Sequence, residues 1–255
     1  MSLPVGPPVP GWSPRPFPEP LELVGRWVRL APLDPGHAAA LHDEVAGPGR
    51  EPLWTYLAEE MPGSPSAFAA YVDRRLSLPA TSTLSVVPLV GEAADRPAGL
   101  ASWMRVDTRN GTVEVGSILL GPALQRTTAA TEAMWLMARH VFGLGYRRYE
   151  WKCDSLHAGS RAAALRLGFR HEGTHRRAVV YKGRSRDTAW FSMTQEDWAA
   201  LAPAYRRWLD PDNFSDPRRG TGQRVAMSSL TAAALASPPR DETTISQDET
   251  AEGPG

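Results

Sequence analysis

The sequence has a single cysteine, Cys153, and therefore cannot form a disulfide bond within the chain. This argues against a secreted fold stabilised by disulfides and favours a reducing compartment. The chain also lacks an uninterrupted apolar run of about 18 residues, so the pattern predicts no membrane span. Its N-terminus lacks the basic and then apolar stretches of a secretory signal. We therefore expect a cytoplasmic protein that has no membrane partner.

The sequence has no excess of either charge, since 28 Lys and Arg residues are matched by 28 Asp and Glu residues. Proteins that bind nucleic acid usually carry a basic excess, so we expect no nucleic-acid partner. Metal ligands are also scarce. His171 and His175 lie on a predicted strand, and no set of Cys or carboxylate residues completes a site with them. The pattern therefore predicts no metal ion.

Both ends of the chain are poor in apolar periodicity. Residues 1–20 contain eight prolines, and residues 211–255 are rich in Ser, Thr, Pro, Gly and acidic residues. Such segments bury too little apolar surface to offset the entropy of ordering. We therefore expect a Pro-rich segment over 1–20, one folded domain over 21–210 and a disordered tail over 211–255. The domain is long enough to bury a sizeable core.

The remaining chain alternates between strand and helix patterns, which predicts a mixed sheet with helices on both faces. Asn110-Gly111 indicates a tight hairpin between two strands. Helix starts are indicated at Asp34, Ser64, Thr194 and either Asp154 or Ser155, because these side chains can cap a first turn. The expected strands cover residues 23–33, 82–89, 99–106, 112–120, 147–153, 169–182 and 187–193.

The region 113–173 is the most informative, because it reads as a strand, a turn, a helix, a strand, a helix and a strand in succession. The apolar strand stops at Gly121-Pro122, and a long helix is predicted to run over 124–142. The first N–H groups of a helix have no partner within it and point to one spot at the positive end of the helix dipole. Because such a spot binds phosphate, we expect a cofactor that carries phosphate groups.

The turn that opens this helix is similar to a known family motif. Residues 125–130 read Gln-Arg-Thr-Thr-Ala-Ala and resemble the pyrophosphate turn Gln/Arg-x-x-Gly-x-Gly/Ala, with Thr128 at the central Gly position. Downstream, the chain resembles the family pattern Asn-x-x-Ser followed by Ala-x-x-x-Gly-Phe. His157 takes the Asn position there, and the matching residues are Ser160, Ala164, Gly168 and Phe169.

Together with similar stretches at 23–33 and 186–193, these motifs make the chain resemble the GNAT superfamily of acyl-CoA-dependent N-acyltransferases over roughly residues 21–201. Within it, the chain resembles the branch of ribosomal-protein N-terminal acetyltransferases. The resemblance implies an α/β (α+β) fold with a GNAT-like mixed, mostly antiparallel sheet. This sheet would splay between the strands 112–120 and 147–153, and the pantetheine arm would lie between them.

The resemblance also implies the co-substrate, which is acetyl-CoA or another acyl-CoA such as succinyl-CoA. The backbone N–H groups of Ile118 and Leu120 would contact the thioester carbonyl or the pantetheine. Where the family has Gly, the hydroxyl of Thr128 or of Thr127 would donate to phosphate. The residues that would take the pyrophosphate are Gln125, Arg126, Thr127, Thr128, Ala129 and Ala130.

Acyl transfer to an amine needs a base, and Glu114 is our candidate, since relatives often keep an acid in this strand. The other interpretation of Glu114 is a salt-bridge partner. Ser160 would assist at the cofactor sulfur, or it satisfies the N–H groups of a first helical turn. His157 would contact the pantetheine or titrate, or it simply caps a helix. Cys153 is interpreted as a buried strand residue rather than a nucleophile.

In the fold that the resemblance implies, two early helices wall the acceptor side of the site. The residues expected to meet the substrate are Trp54, Tyr56, Phe68, Glu114 and Tyr181. We expect an N-acyltransferase, most simply an N-acetyltransferase, in which a primary amine attacks directly in a ternary complex. The acceptor is a small amine or a protein N-terminus, and homodimers are common in the branch. The alternative is a catalytically weak acyl-CoA-binding sensor or interaction module.

Overall fold

A computed structural model describes residues 3–236 of the chain. One mixed sheet organises the molecule. Its strands are β1 (Leu23–Val24), β2 (Val28–Pro32), β3 (Ser82–Pro88), β4 (Gly99–Asp107), β5 (Thr112–Leu120), β6 (Arg148–Asp154), β7 (Arg170–Tyr181) and β8 (Arg184–Thr194). They lie in the order β1-β2-β3-β4-β5-β6-β8-β7. Of the pairs in this sheet only β5 and β6 are parallel, so the predicted mostly antiparallel mixed sheet is confirmed.

Helices cover both faces of this sheet, as predicted. They are α1 (Ala38–Val45), α2 (Glu51–Trp54), α3 (Pro65–Leu76), α4 (Thr128–Gly143), α5 (Ala158–Arg166), α6 (Gln195–Trp208) and α7 (Met227–Ala236). A large core joins the sheet to α4 and α6, and a smaller core joins the other face to α1 and α3. No helix among residues 3–236 is long and apolar enough to cross a membrane.

Several local sequence signals are confirmed at the ends of these elements. Ser64 caps α3 by accepting the N–H of Ala67, and Thr194 forms a capping box with Asp197 at the start of α6. Asn110-Gly111 lies in the turn that joins β4 to β5, and Gly111 adopts a positive φ of 63°. A glycine is favoured there because a Cβ would clash in this backbone conformation.

Three predicted boundaries are wrong. The strand expected over 23–33 is a hairpin of two antiparallel strands, in which Gly25 donates its N–H to the carbonyl of Val28 and the Glu132 carboxylate accepts the N–H groups of Arg26 and Trp27 in the turn. Helix α4 begins at Thr128 rather than at residue 124. The cap of α5 is His157, whose Nδ1 accepts the Ser160 N–H at 3.3 Å, and neither Asp154 nor Ser155.

The prediction of a disordered tail is wrong for residues 211–236. This stretch forms a short hairpin of β9 (Phe214–Asp216) and β10 (Thr221–Gln223), followed by α7. Phe214 is buried between Trp27 and Trp208, with ring centroids 5.1 and 5.3 Å away. The sequence signal was weak because few large apolar residues carry this packing. Residues 237–255 of the expected tail lie outside the described residues.

The Pro-rich N-terminal segment also packs against the domain. The Tyr146 hydroxyl donates to the carbonyl of Pro16 at 3.0 Å, and the Trp12 indole donates to the carbonyl of Arg109 at 3.0 Å. Arg15 adds a backbone hydrogen bond to Thr108. An extended, proline-rich chain can make such contacts without secondary structure of its own, so this segment covers the surface beside the β4–β5 turn.

Candidate active site

The central feature of the site is the opening between β5 and β6. The two strands pair from Thr112 with Arg148 as far as Val115 with Trp151, and then they part. Ser117 has a positive φ of 49° at a bulge in β5 that shifts the register against β4. Beyond Val115, the β5 edge that includes Ile118 and Leu120 is therefore not paired with β6. A ligand with amide groups can bind to such an unpaired edge, as an added strand does.

The turn from β5 into α4 lies at the far end of this opening. The Gln125 side chain donates to the carbonyl of Leu120 at 3.0 Å, and Arg126 adopts a positive φ of 61°. Thr127 caps the helix by accepting the N–H of Ala130. The N–H groups of Thr128 and Ala129 have no acceptor among residues 3–236. These two donors, with the positive end of the helix dipole and Arg126, suit a phosphate group.

The two threonine hydroxyls of this turn are already used by the protein. Thr127 donates to the carbonyl of Leu124 at 2.7 Å, and Thr128 donates to the carbonyl of Gly220 at 2.6 Å. The expectation that one of them donates to phosphate is therefore not supported. A Cβ on Gly220 would stand 3.1 Å from the Thr128 Cβ, so the C-terminal hairpin lies directly against the turn. Thr128 anchors that hairpin where the family motif has Gly.

Glu114 lies on β5 just before the strands part, and its side chain is only 4 % exposed. Its Oε2 pairs with Arg105 at 2.7 Å and with Lys152 at 3.0 Å. Its Oε1 lies 3.0 Å from where a Cβ on Gly116 would stand, so the carboxylate is on the Gly116 face of the strand. The structure thus shows Glu114 as a salt-bridge partner that lies beside the opening.

Glu114 belongs to a ladder of alternating charges that sequence reasoning missed. Lys152 Nζ lies 2.8 Å from Glu150, Glu150 accepts from Arg148, and Arg148 holds Glu172 with two hydrogen bonds. Burial raises the pKa of Glu150, but the hydrogen bonds from Arg148 and Lys152 outweigh it and hold that pKa below its ordinary value. The alternation of charges at 148, 150 and 152 was the signal that could have indicated this ladder.

The start of α5 brings two further candidates to the mouth of the opening. His157 stacks on the ring of Tyr56 at a centroid distance of 4.4 Å. Burial lowers the pKa of His157, although the Asp154 carboxylate opposes this effect, so the ring is favoured in its neutral form. The Ser160 hydroxyl accepts the indole N–H of Trp151 at 3.0 Å. Cys153 is buried, and burial raises the pKa of its thiol.

A cavity of about 400 Å³ lies between α2 and the turn that joins β7 to β8. Trp54 and Tyr181, both predicted to meet substrate, line it. Tyr56 lies against His157 instead, and Phe68 is fully buried in the smaller core, so its predicted contact with substrate is not supported. The residues of this wall that sequence reasoning missed are Glu51, Thr55, Glu60, Met61, Lys182 and Arg184.

Tyr181 connects this cavity to the end of β6. Its hydroxyl donates to Asp154 Oδ2 at 2.8 Å, while Asp154 Oδ1 accepts the N–H of Leu156. Burial, together with the hydrogen bond to Asp154, raises the pKa of Tyr181 to about 12. The next residue, Lys182, donates to the carbonyl of Trp54 at 2.7 Å and so closes the hairpin turn over α2. Among residues 3–236, no group of three His, Cys, Asp or Glu side chains could hold a metal ion.

Comparison with known proteins agrees with this geometry. The family described as acetyltransferase (GNAT) domain matches residues 28–170. The chain is 39 % identical to a GCN5-related N-acetyltransferase from Brucella melitensis, with a TM-score of 0.82 over 88 % of this chain and 100 % of that one. It is 35 % identical to a probable GNAT-family acetyltransferase from Chromobacterium violaceum, with a TM-score of 0.70 over 78 % and 98 %.

A more distant likeness concerns the fold alone. The acetyltransferase from Salmonella typhimurium that modifies the N-terminal serine of ribosomal protein L7/L12 is 20 % identical, with a TM-score of 0.58 over 67 % of this chain and 96 % of that one. Comparison with curated proteins gives no match. The family match covers more than half of the chain, and the first structural match spans the whole of its relative. The chain therefore belongs to the GNAT family of acetyltransferases.

Proposed function

We propose that this protein is an N-acetyltransferase that moves the acetyl group of acetyl-CoA to a primary amine by direct attack in a ternary complex. The observation that carries the proposal is the parting of β5 and β6 after Val115, with unpaired N–H groups at the start of α4 at its far end. The acyl-CoA would supply an activated thioester. The residues around the opening fit two chemical parts of the acyl-CoA, which are its amide-bearing arm and its pyrophosphate.

In this proposal each part of the opening binds one portion of the co-substrate. The N–H groups of Thr128 and Ala129 hold the pyrophosphate, and Arg126 adds charge beside it. The free edge of β5, including the N–H groups of Ile118 and Leu120, aligns the pantetheine amides and orients the thioester carbonyl. His157 caps α5 and Ser160 lies in its first turn, from where Ser160 would donate a hydrogen bond toward sulfur.

Glu114 is the proposed base, acting on the amine directly or through water. It lies on the side of β5 that faces the smaller core, just where the strands part. Its ion pairs with Arg105 and Lys152 fix the carboxylate in one orientation, which reduces the reorganisation needed at the moment of proton transfer. The cavity lined by Trp54 and Tyr181 would admit the amine from the α2 side.

The acceptor is proposed only by class. The cavity is lined by two carboxylates, Glu51 and Glu60, and by two cations, Lys182 and Arg184. Lys182 lies 3.5 Å from Glu60, so the charge of the cavity does not select the acceptor. The acetylation of an N-terminal serine by the Salmonella protein supports a protein N-terminus as one candidate, and a small amine is the other. The single buried cysteine supports action in the cytoplasm.

A second candidate is a catalytically weak acyl-CoA-binding module. The double ion pair of Glu114 and the use of the Thr128 hydroxyl by Gly220 favour it, because both reduce the groups available for chemistry. The two candidates differ in turnover rather than in binding. Release of free thiol from acetyl-CoA in the presence of an amine panel therefore separates them.

Glu114→Gln tests the proposed base. The amide keeps the size of the side chain but cannot accept a proton, so we expect kcat to fall by about 100-fold or more while acetyl-CoA still binds. Glu150→Gln is the matched control, since it alters the same ladder without reaching the opening, and it should keep most of the activity. Unchanged kcat in Glu114→Gln would remove this residue from the mechanism, and absence of thiol release in the parent would favour the binding module.

A further inference from the structure

We propose that Arg75 binds a carboxylate group carried by one of the two substrates. This inference rests on the proposed function, because it assigns a chemical class to what enters the same site. Arg75 lies in the last turn of α3, on the helix face that carries Phe68, Tyr71 and Val72 into the smaller core. Its own exposure is 7 %, so a guanidinium group is buried where the neighbouring turns bury apolar and aromatic side chains.

The guanidinium group is almost without partners. One terminal nitrogen donates to the Ser102 hydroxyl at 2.7 Å, and that hydroxyl lies 2.9 Å from the hydroxyl of Thr83. The Nε of Arg75 is buried and has no hydrogen-bond partner. No carboxylate of residues 3–236 lies within 4.0 Å of this side chain. Burying an arginine without a counter-charge is unfavourable, and a core position alone does not explain it.

The position of Arg75 relates this unpaired charge to the opening. Ser102 on β4 is the cross-strand partner of Gly116 on β5. Gly116 follows Val115, the last residue of β5 that pairs with β6, and Glu114 Oε1 lies 3.0 Å from the place of a Gly116 Cβ. Ser102, which accepts a hydrogen bond from Arg75, is therefore one strand away from the proposed position of the acyl group. On the other side, Tyr71 contacts Trp54 of the cavity at a centroid distance of 5.3 Å.

The chemistry of arginine then selects the ligand. A guanidinium group presents a planar fork of donors that matches the two oxygens of a carboxylate, and such charge-assisted bonds are strong where water is excluded. Two sources could bring a carboxylate to this place. One is the distal carboxylate of a dicarboxylic acyl group, as in succinyl-CoA. The other is the carboxylate of an acceptor such as a free amino acid.

The test uses Arg75→Met and the matched control Arg74→Met, which removes an exposed arginine from the same helix. In the donor arm, the affinities for succinyl-CoA and acetyl-CoA are measured by calorimetry. In the acceptor arm, thiol release is followed with a panel of free amino acids and the matching amino-acid amides. The thermal unfolding of each variant is recorded alongside, because a structural role would lower its midpoint.

We expect the parent to prefer either succinyl-CoA over acetyl-CoA or free amino acids over their amides. In Arg75→Met the ratio that expresses this preference should fall by about tenfold or more. The affinity of this variant for acetyl-CoA and its thiol release with amino-acid amides should not fall. Its unfolding midpoint should not fall either, since the substitution removes an unpaired buried charge. Arg74→Met should behave as the parent. The arm in which the loss occurs identifies the source of the carboxylate.

Two results would overturn the inference. If the parent binds both donors but neither arm depends on a carboxylate, Arg75 does not bind one, and the proposed function stands. If Arg75→Met lowers the unfolding midpoint while the parent shows no carboxylate preference, the role of Arg75 is structural. Absence of binding to both donors would instead contradict the proposed function itself, and this inference with it.

Discussion

At the scale of single residues, Glu132 shows how one buried side chain fixes a distant stretch of backbone. Its carboxylate accepts the N–H of Arg26 at 2.8 Å and that of Trp27 at 2.7 Å, from a position 105 residues further along the chain than Trp27. Burial raises the pKa of Glu132, and these hydrogen bonds oppose the effect. The carboxylate fits only because Gly25 has no side chain.

Gly25→Ala tests this fit. A Cβ on Gly25 would stand 2.6 Å from both oxygens of Glu132, so the carboxylate must move and lose its hydrogen bonds. We expect the free energy of unfolding to fall by about 1–3 kcal/mol in a urea titration. Gly63→Ala is the control, because no atom lies within 4 Å of a Cβ there, and it should change stability by less than about 0.5 kcal/mol. Equal stability of both variants would contradict this account.

Glu172 gives a prediction about pH. The paired hydrogen bonds from Arg148 lower the pKa of Glu172 to about 2, although burial opposes them. Because the pKa is lower in the folded state, the resulting stability is present above the unfolded pKa of 4.5 and is lost as the pH falls toward 2.

Urea titrations at a series of pH values check this window. The parent should lose stability between pH 4.5 and 2, and Glu172→Gln should lose less over the same interval, because the titrating group is gone. Glu92→Gln, which changes an exposed residue, should follow the parent. If Glu172→Gln has the same pH dependence as the parent, the Arg148 pair does not contribute to acid stability.

At the scale of elements, the C-terminal hairpin and α7 complete the domain beyond the family match. Phe214 fills the space between Trp27 and Trp208, and Gly220 meets the turn that would hold pyrophosphate. On α7, Thr231 donates to the carbonyl of Arg166 at 3.1 Å. This segment therefore supports α4 and α5, the two helices whose first turns border the opening.

Ending the chain after residue 210 removes these contacts and exposes two buried tryptophans. We expect the free energy of unfolding to fall by about 3–5 kcal/mol, as for the loss of a large core side chain, and the affinity for acetyl-CoA to weaken. A chain ended after residue 236 is the matched control, because it keeps every contact named above. If the shorter chain is as stable as the control, the hairpin and α7 do not belong to the folding unit.

Elements whose cause is local could be predicted from the sequence. Thr194 with Asp197, Ser64 before Pro65, and the Asn110-Gly111 turn each determine a boundary within a few residues. The turn between β1 and β2 was not predicted, because two of its N–H groups are satisfied by Glu132 on a distant helix. The packing of residues 211–236 was not predicted because the segment is mostly polar, and only a few apolar residues such as Phe214 anchor it.

The geometry of the site was likewise predictable only where its cause is local. Alternation along β5 places Glu114 with Gly116, which the structure also gives. Its partner Arg105 was not predictable, because a bulge with a φ of 49° at Arg105 interrupts the alternation of β4. Phe68 was assigned to substrate because the early helices wall the acceptor side in the resembling fold, and only the packing of α1 against α3 reveals that its side chain is core.

At the scale of the whole molecule, the opening and the cavity differ in their chemistry. The start of α4 offers free N–H groups and positive charge, and the cavity beside α2 offers aromatic side chains with two acidic and two basic residues. β5 runs along the opening, from Glu114 to the turn that precedes α4. A co-substrate with a phosphate end and a thioester end would therefore span the opening and present its reactive carbon to the amine.

The most direct test of this account is a calorimetric titration of the purified protein with acetyl-CoA and, separately, with S-acetylpantetheine. The second compound has the same thioester arm but lacks the phosphates and the adenosine. The account predicts saturable binding of one acetyl-CoA per chain and binding of S-acetylpantetheine that is weaker by about tenfold or more, because the α4 turn contributes charge-assisted hydrogen bonds. Absence of saturable binding to acetyl-CoA, or equal affinity for both compounds, would contradict the account.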